Sequence, residues 1–423
     1  MTSEVIILNK KAVVIGADSA VTSMVGGKHP RYSKSADKLF ELSANGSVAV
    51  MIHGSASIDG VPWELAIKLF GAELGGQTLR TVSEYATALL SFLSSNERLF
   101  PAASRAQALS AQINTAIKGV VKLAGETDPS VLDLALPLST RQAAWAARAE
   151  GMRALLAATA AATPLTSTPT DAAPPTSGLW MKAAVDLIEQ IETLSAVDAS
   201  ELADLGHQFL RAFPEQVLGS SGVVLAGYGD DQIFPAYVQL EVFGHSGDAL
   251  FHRGAAEFVI GRDGLALIQP FAKTSTIDLF IRGYDRAMER VIEDQWKRSI
   301  VELVQHLRNA GLDIPTEPCD EVVTSAQAWF MRSWKERCSR RHATPLLGVL
   351  QSLSLQEMAQ LAEMLLGLEC MKERVTSPTE TVAGPIDLAA ITKAEGLVWT
   401  RRKHTVDAAI NPLYVARLAR AHI

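Results

Sequence analysis

Cysteine is scarce in this chain: three residues in 423, namely Cys319, Cys338 and Cys370, far apart and without a C-x-x-C spacing. That excludes a disulfide framework and a thiolate zinc site, and it fits a reducing, cytoplasmic setting. Long hydrophobic runs are absent too. No stretch of about 20 apolar residues exists, so no membrane association is expected. The N-terminal run from Met1 to Leu8 carries Glu4 where a signal peptide wants a base, and Asn9-Lys10-Lys11 interrupts it, so no targeting segment is expected. Positive charge is not in excess: 39 Lys and Arg stand against 46 Asp and Glu, a net charge of −7, which argues against nucleic acid as a partner. The common site signatures are missing as well. Gly26-Gly27-Lys28 runs into His29 rather than completing a phosphate-binding loop, and there is no G-x-G-x-x-G, G-x-S-x-G or H-E-x-x-H. The chain is therefore expected to use no cofactor and no metal.

What is present is a folding chain. Apolar residues make up 48% and charged residues 20%. A chain of this length can bury about three-quarters of its unfolded surface without staples. Val5–Leu8 and Ala12–Ala17 read as a hairpin of buried strands around Asn9-Lys10-Lys11. Residues 22–37 read as a Gly-rich loop, Lys38–Leu42 as a half-buried strand, Asn45-Gly46 as a hairpin turn and Val48–His53 as the next strand. Helical spacing follows, first with Trp63, Ile67 and Phe70, then with Val82, Tyr85, Leu89 and Leu93. Residues 102–158 and 179–213 are helical in character, and 159–178 is a low-complexity flexible stretch. Strands return at Val223–Tyr228, Ala236–Phe243 and Glu257–Ile260. Ile277–Leu307 reads as one long amphipathic helix with Trp296 in a core stripe. Residues 312–345 are irregular or helical, Leu355–Cys370 is an apolar helix, and Ile386–Thr392 and Leu397–Arg401 close the chain as strands. The order of strands, helices, strands, helices, strands suggests two sheets with helices outside rather than alternating β-α units. Lone histidines such as His53 and His252 read as structural. Arg401-Arg402-Lys403-His404 reads as a solvated strand end.

One constellation carries chemistry. Removal of Met1 would leave Thr2 as the first residue, with a hydroxyl and an amine on adjacent carbons. An α-amine has an ordinary pKa of about 7.7–8.0, so it can take the proton of its own hydroxyl near neutral pH. Such a nucleophile needs a neighbouring cation and a carboxylate to hold that cation. Asp18 at a strand end and Lys38 at a strand start supply them if the strands are neighbours.

Val13-Val14-Ile15-Gly16-Ala17-Asp18-Ser19 resembles the "V-x-x-A-A-D-S" strand end of proteasome β-type subunits and their bacterial peptidase relatives, with Thr2 at the family's separation from Asp18. Lys38-Leu39-Phe40-Glu41-Leu42 resembles the catalytic-lysine strand of that family, and Gly54-Ser55-Ala56-Ser57-Ile58-Asp59 its Gly-rich substrate loop. Leu225 to Asp230 is similar to its "A-G-Y-D" strand, Ile260 to Gly264 to its "I-G-S-G-S" segment, and Glu380 to Asp387 to its "D-x-x-S-G" turn. The resemblance covers roughly residues 2–100, 220–300 and 350–405. It implies an α+β fold, the four-layer αββα sandwich of the N-terminal nucleophile (Ntn) hydrolases. On this reading residues 1–423 form a single domain with helical insertions at about 101–218 and 308–345.

By carry-over Thr2 is the nucleophile, Asp18 and Lys38 tune it, and the Gly54–Ser55 loop faces the oxyanion. Ser19, Arg262 and Glu380 form the supporting set. The pattern departs from the family at several points. The Asp18–Lys38 interval is longer than usual, Lys34 being the alternative lysine. Arg262 and Ala383 stand where the family has serines. The implied activity is a threonine peptidase or amidohydrolase that cleaves peptide or related amide bonds through an acyl-ester. The implied assembly is a homo-oligomer, with ring, dimer and monomer left open. Two other readings stay beside it: an inactive scaffold or binding protein on the same fold, and a small-molecule amidase.

Overall fold

The computed structural model describes residues 2–25, 29–33, 36–42, 47–168, 177–254, 257–262, 264, 266–312, 316–377, 382–403, 411–412 and 416. In chain order the strands are β1 (Ser3–Leu8), β2 (Val13–Asp18), β3 (Val21–Val25), β4 (His29–Ser33), β5 (Leu39–Glu41), β6 (Val48–Gly54), β7 (Ser57–Ile58), β8 (Val61–Pro62), β9 (Thr166–Thr168), β10 (Ser221–Gly227), β11 (Ala236–Ser246), β12 (Ala249–Gly254), β13 (Phe258–Val259), β14 (Leu267–Ala272), β15 (Ile386–Thr392) and β16 (Gly396–Arg401). The helices are α1 (Trp63–Leu74), α2 (Val82–Ser95), α3 (Ala102–Thr127), α4 (Leu138–Ala162), α5 (Ser177–Gln190), α6 (Ala199–Ala212), α7 (Pro214–Val217), α8 (Ser275–Arg282), α9 (Arg286–Asn309), α10 (Thr316–Cys338), α11 (Thr344–Leu350) and α12 (Leu355–Thr376). The fold is mixed α/β with antiparallel sheets. Among the described residues no helix is long and apolar enough to cross a membrane. The chain divides into two compact units.

The first unit comprises Met1–Leu39, Gln232–Ala236 and Val259–Ile423. Its sheet runs β14-β1-β2-β15-β16. β1 and β2 are buried at every position, as their near-continuous apolar sequences require. Glu4 pairs with Ala17, and Ile386 with Asp18, so the ends of β1, β2 and β15 meet at one edge. On one face Val5, Ile7 and Val14 pack with Ile277 and Ile281 of α8 and with Met358, Ala362, Leu365 and Leu366 of α12. A reciprocal Ser354–Glu357 capping box starts α12. β14 went unread in the sequence because Pro270 interrupts it. Proline lacks the ladder N–H and is tolerated there because β14 is an edge strand.

Three expectations are corrected in this unit. Residues 22–37 are not simply a loop: β3 and β4 pair with Val21 opposite Ser33. Their mixed polar sequence lacks the apolar alternation that marks a strand. The helix read over Ile277–Leu307 is two helices, α8 and α9, broken at Gly283. Gly283 is left-handed (φ 79°) and donates its N–H to the Leu279 carbonyl at 2.9 Å, and Asp285 caps α9 through the Met288 N–H at 2.8 Å. Nor is the α9 stripe core. Trp296 is half-buried against Phe330 of α10, while Met288, Val291, Val301 and Leu303 are exposed, Val291 by 59%. The helix periodicity is real, but α9 leans on another helix rather than on the sheet.

The Gly283 break yields a direct prediction. Gly283→Ala places a Cβ in the left-handed region and 2.5 Å from His342 Cδ2. It should lower stability by about 1–2 kcal/mol, read as a fall in the urea midpoint at unchanged slope.

The second unit comprises Phe40–Asp231 and Tyr237–Phe258. Its sheet is ordered β5-β6-β10-β11-β12-β9, with β13 on β11. The Ala-rich segment read as an insertion forms a helical cluster with its own core: Ile113, Ile117 and Val120 of α3, Trp145 of α4, Trp180 of α5, and Leu205 and Phe209 of α6. The low-complexity stretch is not uniformly unstructured. α4 runs to Ala162, and Ser167 of β9 pairs with Phe251 of β12. Residues 169–176 and the Asn45-Gly46 turn lie outside the described residues. β12 was not read from the sequence, and the strand read at Glu257–Ile260 shortens to the two residues of β13.

Candidate active site

Thr2 stands immediately before β1. Its carbonyl accepts the Lys273 N–H at 2.9 Å, and the Ser3 hydroxyl donates to the Lys273 carbonyl at 3.1 Å, which pins the start of β1 to the end of β14. Strand alternation puts the Thr2 and Glu4 side chains on one face. Asp18 closes β2 and gathers four donors from separate segments. Its Oδ1 accepts from the Ser3 N–H (3.1 Å) and from Lys38 Nζ (2.5 Å); its Oδ2 accepts from the Ala383 N–H (2.9 Å) and the Ala20 N–H (3.3 Å). Such a donor set replaces the water that a buried carboxylate loses.

Lys38 lies just before β5. Its ammonium, 6% exposed, also stands 3.6 Å from Glu4 Oε1. Glu4 is fully buried. Burial pushes its carboxyl up to about 8, and the Asp18 charge adds to the rise, while the Lys38 ammonium and the Thr2 hydroxyl restrain it. At neutral pH the cluster therefore holds one ion pair, Asp18–Lys38, beside a neutral Glu4. The Thr2 hydroxyl lies close enough to influence Glu4, yet Thr2 Oγ1 and both Glu4 oxygens are enclosed without a hydrogen bond of good geometry. Unpaired buried polar atoms are uncommon and mark places where groups are held for another use. Nearby, burial pushes the Cys370 thiol up to about 11, with Asp18 adding to the effect, so that thiol is no thiolate nucleophile at neutral pH.

A second ring of contacts positions these groups. Lys403 bonds Asp387 through both its N–H (2.8 Å) and its ammonium, and the same ammonium reaches Asp37 Oδ1 at 2.9 Å, fixing the residue beside Lys38. The reading of Lys403 as a solvated strand end is thus corrected; its side chain is 8% exposed. Lys273 pairs with Glu373, while Glu369 accepts from the Thr276 N–H at 2.8 Å and the Ser275 hydroxyl at 3.2 Å.

The other residues singled out in the sequence fall as follows. The Ser19 hydroxyl donates to the Pro385 carbonyl at 2.7 Å, bracing the turn whose Ala383 N–H meets Asp18. Arg262 is exposed, and its carbonyl accepts from Lys10 on the turn beyond the far end of β1. Six strand residues at about 3.3 Å each put that turn roughly 20 Å from Thr2. The structure does not bring Arg262 to the cluster. Glu380 and Lys34 lie outside the described residues. Gly54 and Ser55 belong to the second unit. Gly54 is left-handed (φ 81°) at the end of β6, where a Cβ would meet the Ser220 carbonyl at 3.1 Å. The Ser55 N–H is already donated to the same carbonyl at 3.1 Å.

Sequence reasoning missed Glu4 as a site residue. The signal was there: one acid inside an otherwise apolar strand. Among the described residues no group of three or more His, Cys, Asp or Glu side chains is placed to hold a metal ion.

No family model matches the chain, and no curated protein matches it. Solved structures similar to it include the Gly-1 mutant of Anbu from Hyphomicrobium sp. strain MC1, at 10% identity over all of this chain and 96% of that one, with a TM-score of 0.28. Another is Anbu, an ancestral β-subunit, from Yersinia bercovieri, at 7% identity over 99% of this chain and 94% of that one, with a TM-score of 0.26. Likenesses this distant carry no argument about activity. The family expectation is corrected accordingly. The motifs that resemble proteasome β-type signatures are not matched by any family model, and the similar structures named above are remote.

Proposed function

We propose that this chain is an amide hydrolase whose nucleophile is the Thr2 hydroxyl, exposed for chemistry once Met1 is removed. One observation carries the reading: a buried Thr2 hydroxyl at the head of β1, without a hydrogen bond of good geometry, in the same cluster as a buried Lys38–Asp18 pair. In such a mechanism Thr2 Oγ1 attacks the carbonyl carbon of a peptide or related amide. The fixed ammonium of Lys38 favours negative charge developing nearby, and Asp18 holds that ammonium in place. The amine product leaves, an ester on Thr2 remains, and water hydrolyses it. The base expected from the sequence is the α-amine of the mature Thr2. The four-layer stacking of the sheets, a cytoplasmic setting and a homo-oligomer belong to the same proposal.

A second reading is favoured by the enclosure of Thr2, which is only 5% exposed. A threonine kept from solvent also suits a scaffold or binding protein. Fluorogenic peptides and acyl-amides separate the two. Thr2→Ala should lower kcat/KM by about 10³-fold or more, with folding unchanged. Equal turnover by Thr2→Ala removes Thr2 as the nucleophile, and no turnover by the mature wild type on any acyl-amide favours the scaffold.

A further inference from the structure

The geometry points to Glu4, rather than the α-amine, as the group that takes the proton of the Thr2 hydroxyl. This rests on the nucleophile reading above and adds a residue that the reading does not contain. Three enclosed atoms lack good hydrogen-bond partners in this cluster, and they belong to two side chains on one face of β1: Thr2 Oγ1, Glu4 Oε1 and Glu4 Oε2. A hydroxyl and a carboxylate two residues apart on a strand are natural donor and acceptor. The Asp18 oxygens are already engaged by four donors, so Asp18 is poorly placed to receive another proton. Lys38 is a cation and cannot accept one.

Among the described residues the charged groups acting on Glu4 are Lys38, 3.6 Å from its carboxylate, and Asp18 of β2. Further out on the packed elements stand the Lys273–Glu373 pair, Glu369 and the Cys370 thiol. As Thr2 Oγ1 bonds to the amide carbon, its proton moves to the Glu4 carboxylate and the carbonyl π pair moves to oxygen. As the pair on oxygen re-forms the C=O bond, the C–N bond breaks and its electron pair leaves with nitrogen, which takes the proton back from Glu4. The ester on Thr2 and the free amine remain, and Glu4 is again a carboxylate.

Ionisation of Glu4 thus gates the nucleophile. With the carboxyl pushed up to about 8, the carboxylate is scarce at pH 6.5 and dominant at pH 9. The test is the rate at which a small electrophilic ester acylates Thr2 in the otherwise complete chain that begins at Thr2, followed by intact mass from pH 6 to pH 9.5. Wild type should accelerate roughly 10-fold or more across that range, with a midpoint near 8. Glu4→Gln should be about 100-fold slower at pH 9 and lose that rise. A second measurement guards against misfolding of the variant. Carbon NMR of the glutamate carboxyls should show one titrating near 8 in wild type, absent from Glu4→Gln and displaced upward in Thr2→Val. A Glu4→Gln protein that keeps the rise overturns the Glu4 assignment and returns the proton to the α-amine, leaving the nucleophile reading intact. So does a wild type with no carboxyl titrating above 6. Equal acylation of Thr2→Ala overturns the nucleophile reading itself.

Discussion

Raising the pH from 4 to 9 should cost the wild-type chain roughly 5 kcal/mol of folding stability that Glu4→Gln does not lose. The Glu4 carboxyl is pushed from its ordinary 4.5 to about 8 in the folded state, burial being the largest cause. Between those values the unfolded chain has released a proton that the folded chain still holds. Stability is therefore full below about 4.5, falls with rising pH, and levels off above about 8. A rise of about 3.5 pH units at 1.36 kcal/mol each gives roughly 5 kcal/mol. Glutamine has the same shape and no titration, so the difference between the two proteins isolates Glu4 from every other group. Urea unfolding at pH 5, 7 and 9 reads it directly. Parallel pH curves for the two proteins would mean that Glu4 ionises freely in the fold.

The second large effect lies on Lys38. Lys38→Met should destabilise the protein by about 3–5 kcal/mol, because it leaves the Asp18 charge buried with N–H donors but no cation. Adding Asp18→Asn should recover part of the loss, since the two substitutions share one interaction and are not additive. Double-mutant cycles by urea unfolding at pH 7 measure this coupling. A Lys38→Met protein within about 1 kcal/mol of wild type would show that water reaches Asp18 and that the pair is not a buried unit.

The hairpin of β1 and β2 was legible because both strands are near-continuous apolar runs around a polar turn. Asp18 at the strand end was legible for the same reason, since the register of that hairpin sets it beside Ser3. Lys38 could be named only by supposing that its strand returns to the same edge. What places it is the bond to Asp18 together with the Lys403–Asp37 contact, made by residues far apart in the chain. Glu4 was passed over as a break in hydrophobicity, although an acid in a fully buried strand needs a reason to be there. β14 was hidden by Pro270, whose cost disappears at a sheet edge. The split of α8 from α9 was hidden because the apolar period carries on across Gly283. The burial of α9 could not be read at all: periodicity shows that a helix has a face, not what the face meets. Arg262 shows the limit of reasoning from motif order, since sequence position placed it in the site and the fold sets it at the other end of β1.

The most direct test of the account is to trap the acyl-enzyme. The purified chain would be mixed with an activated acyl-amide, quenched in acid, and analysed by intact mass and peptide mapping. The expected product is a chain that begins at Thr2 and carries one acyl group on that residue, with none on the Thr2→Ala chain. A chain that keeps Met1 and stays unmodified, or one that carries the acyl group elsewhere, contradicts it.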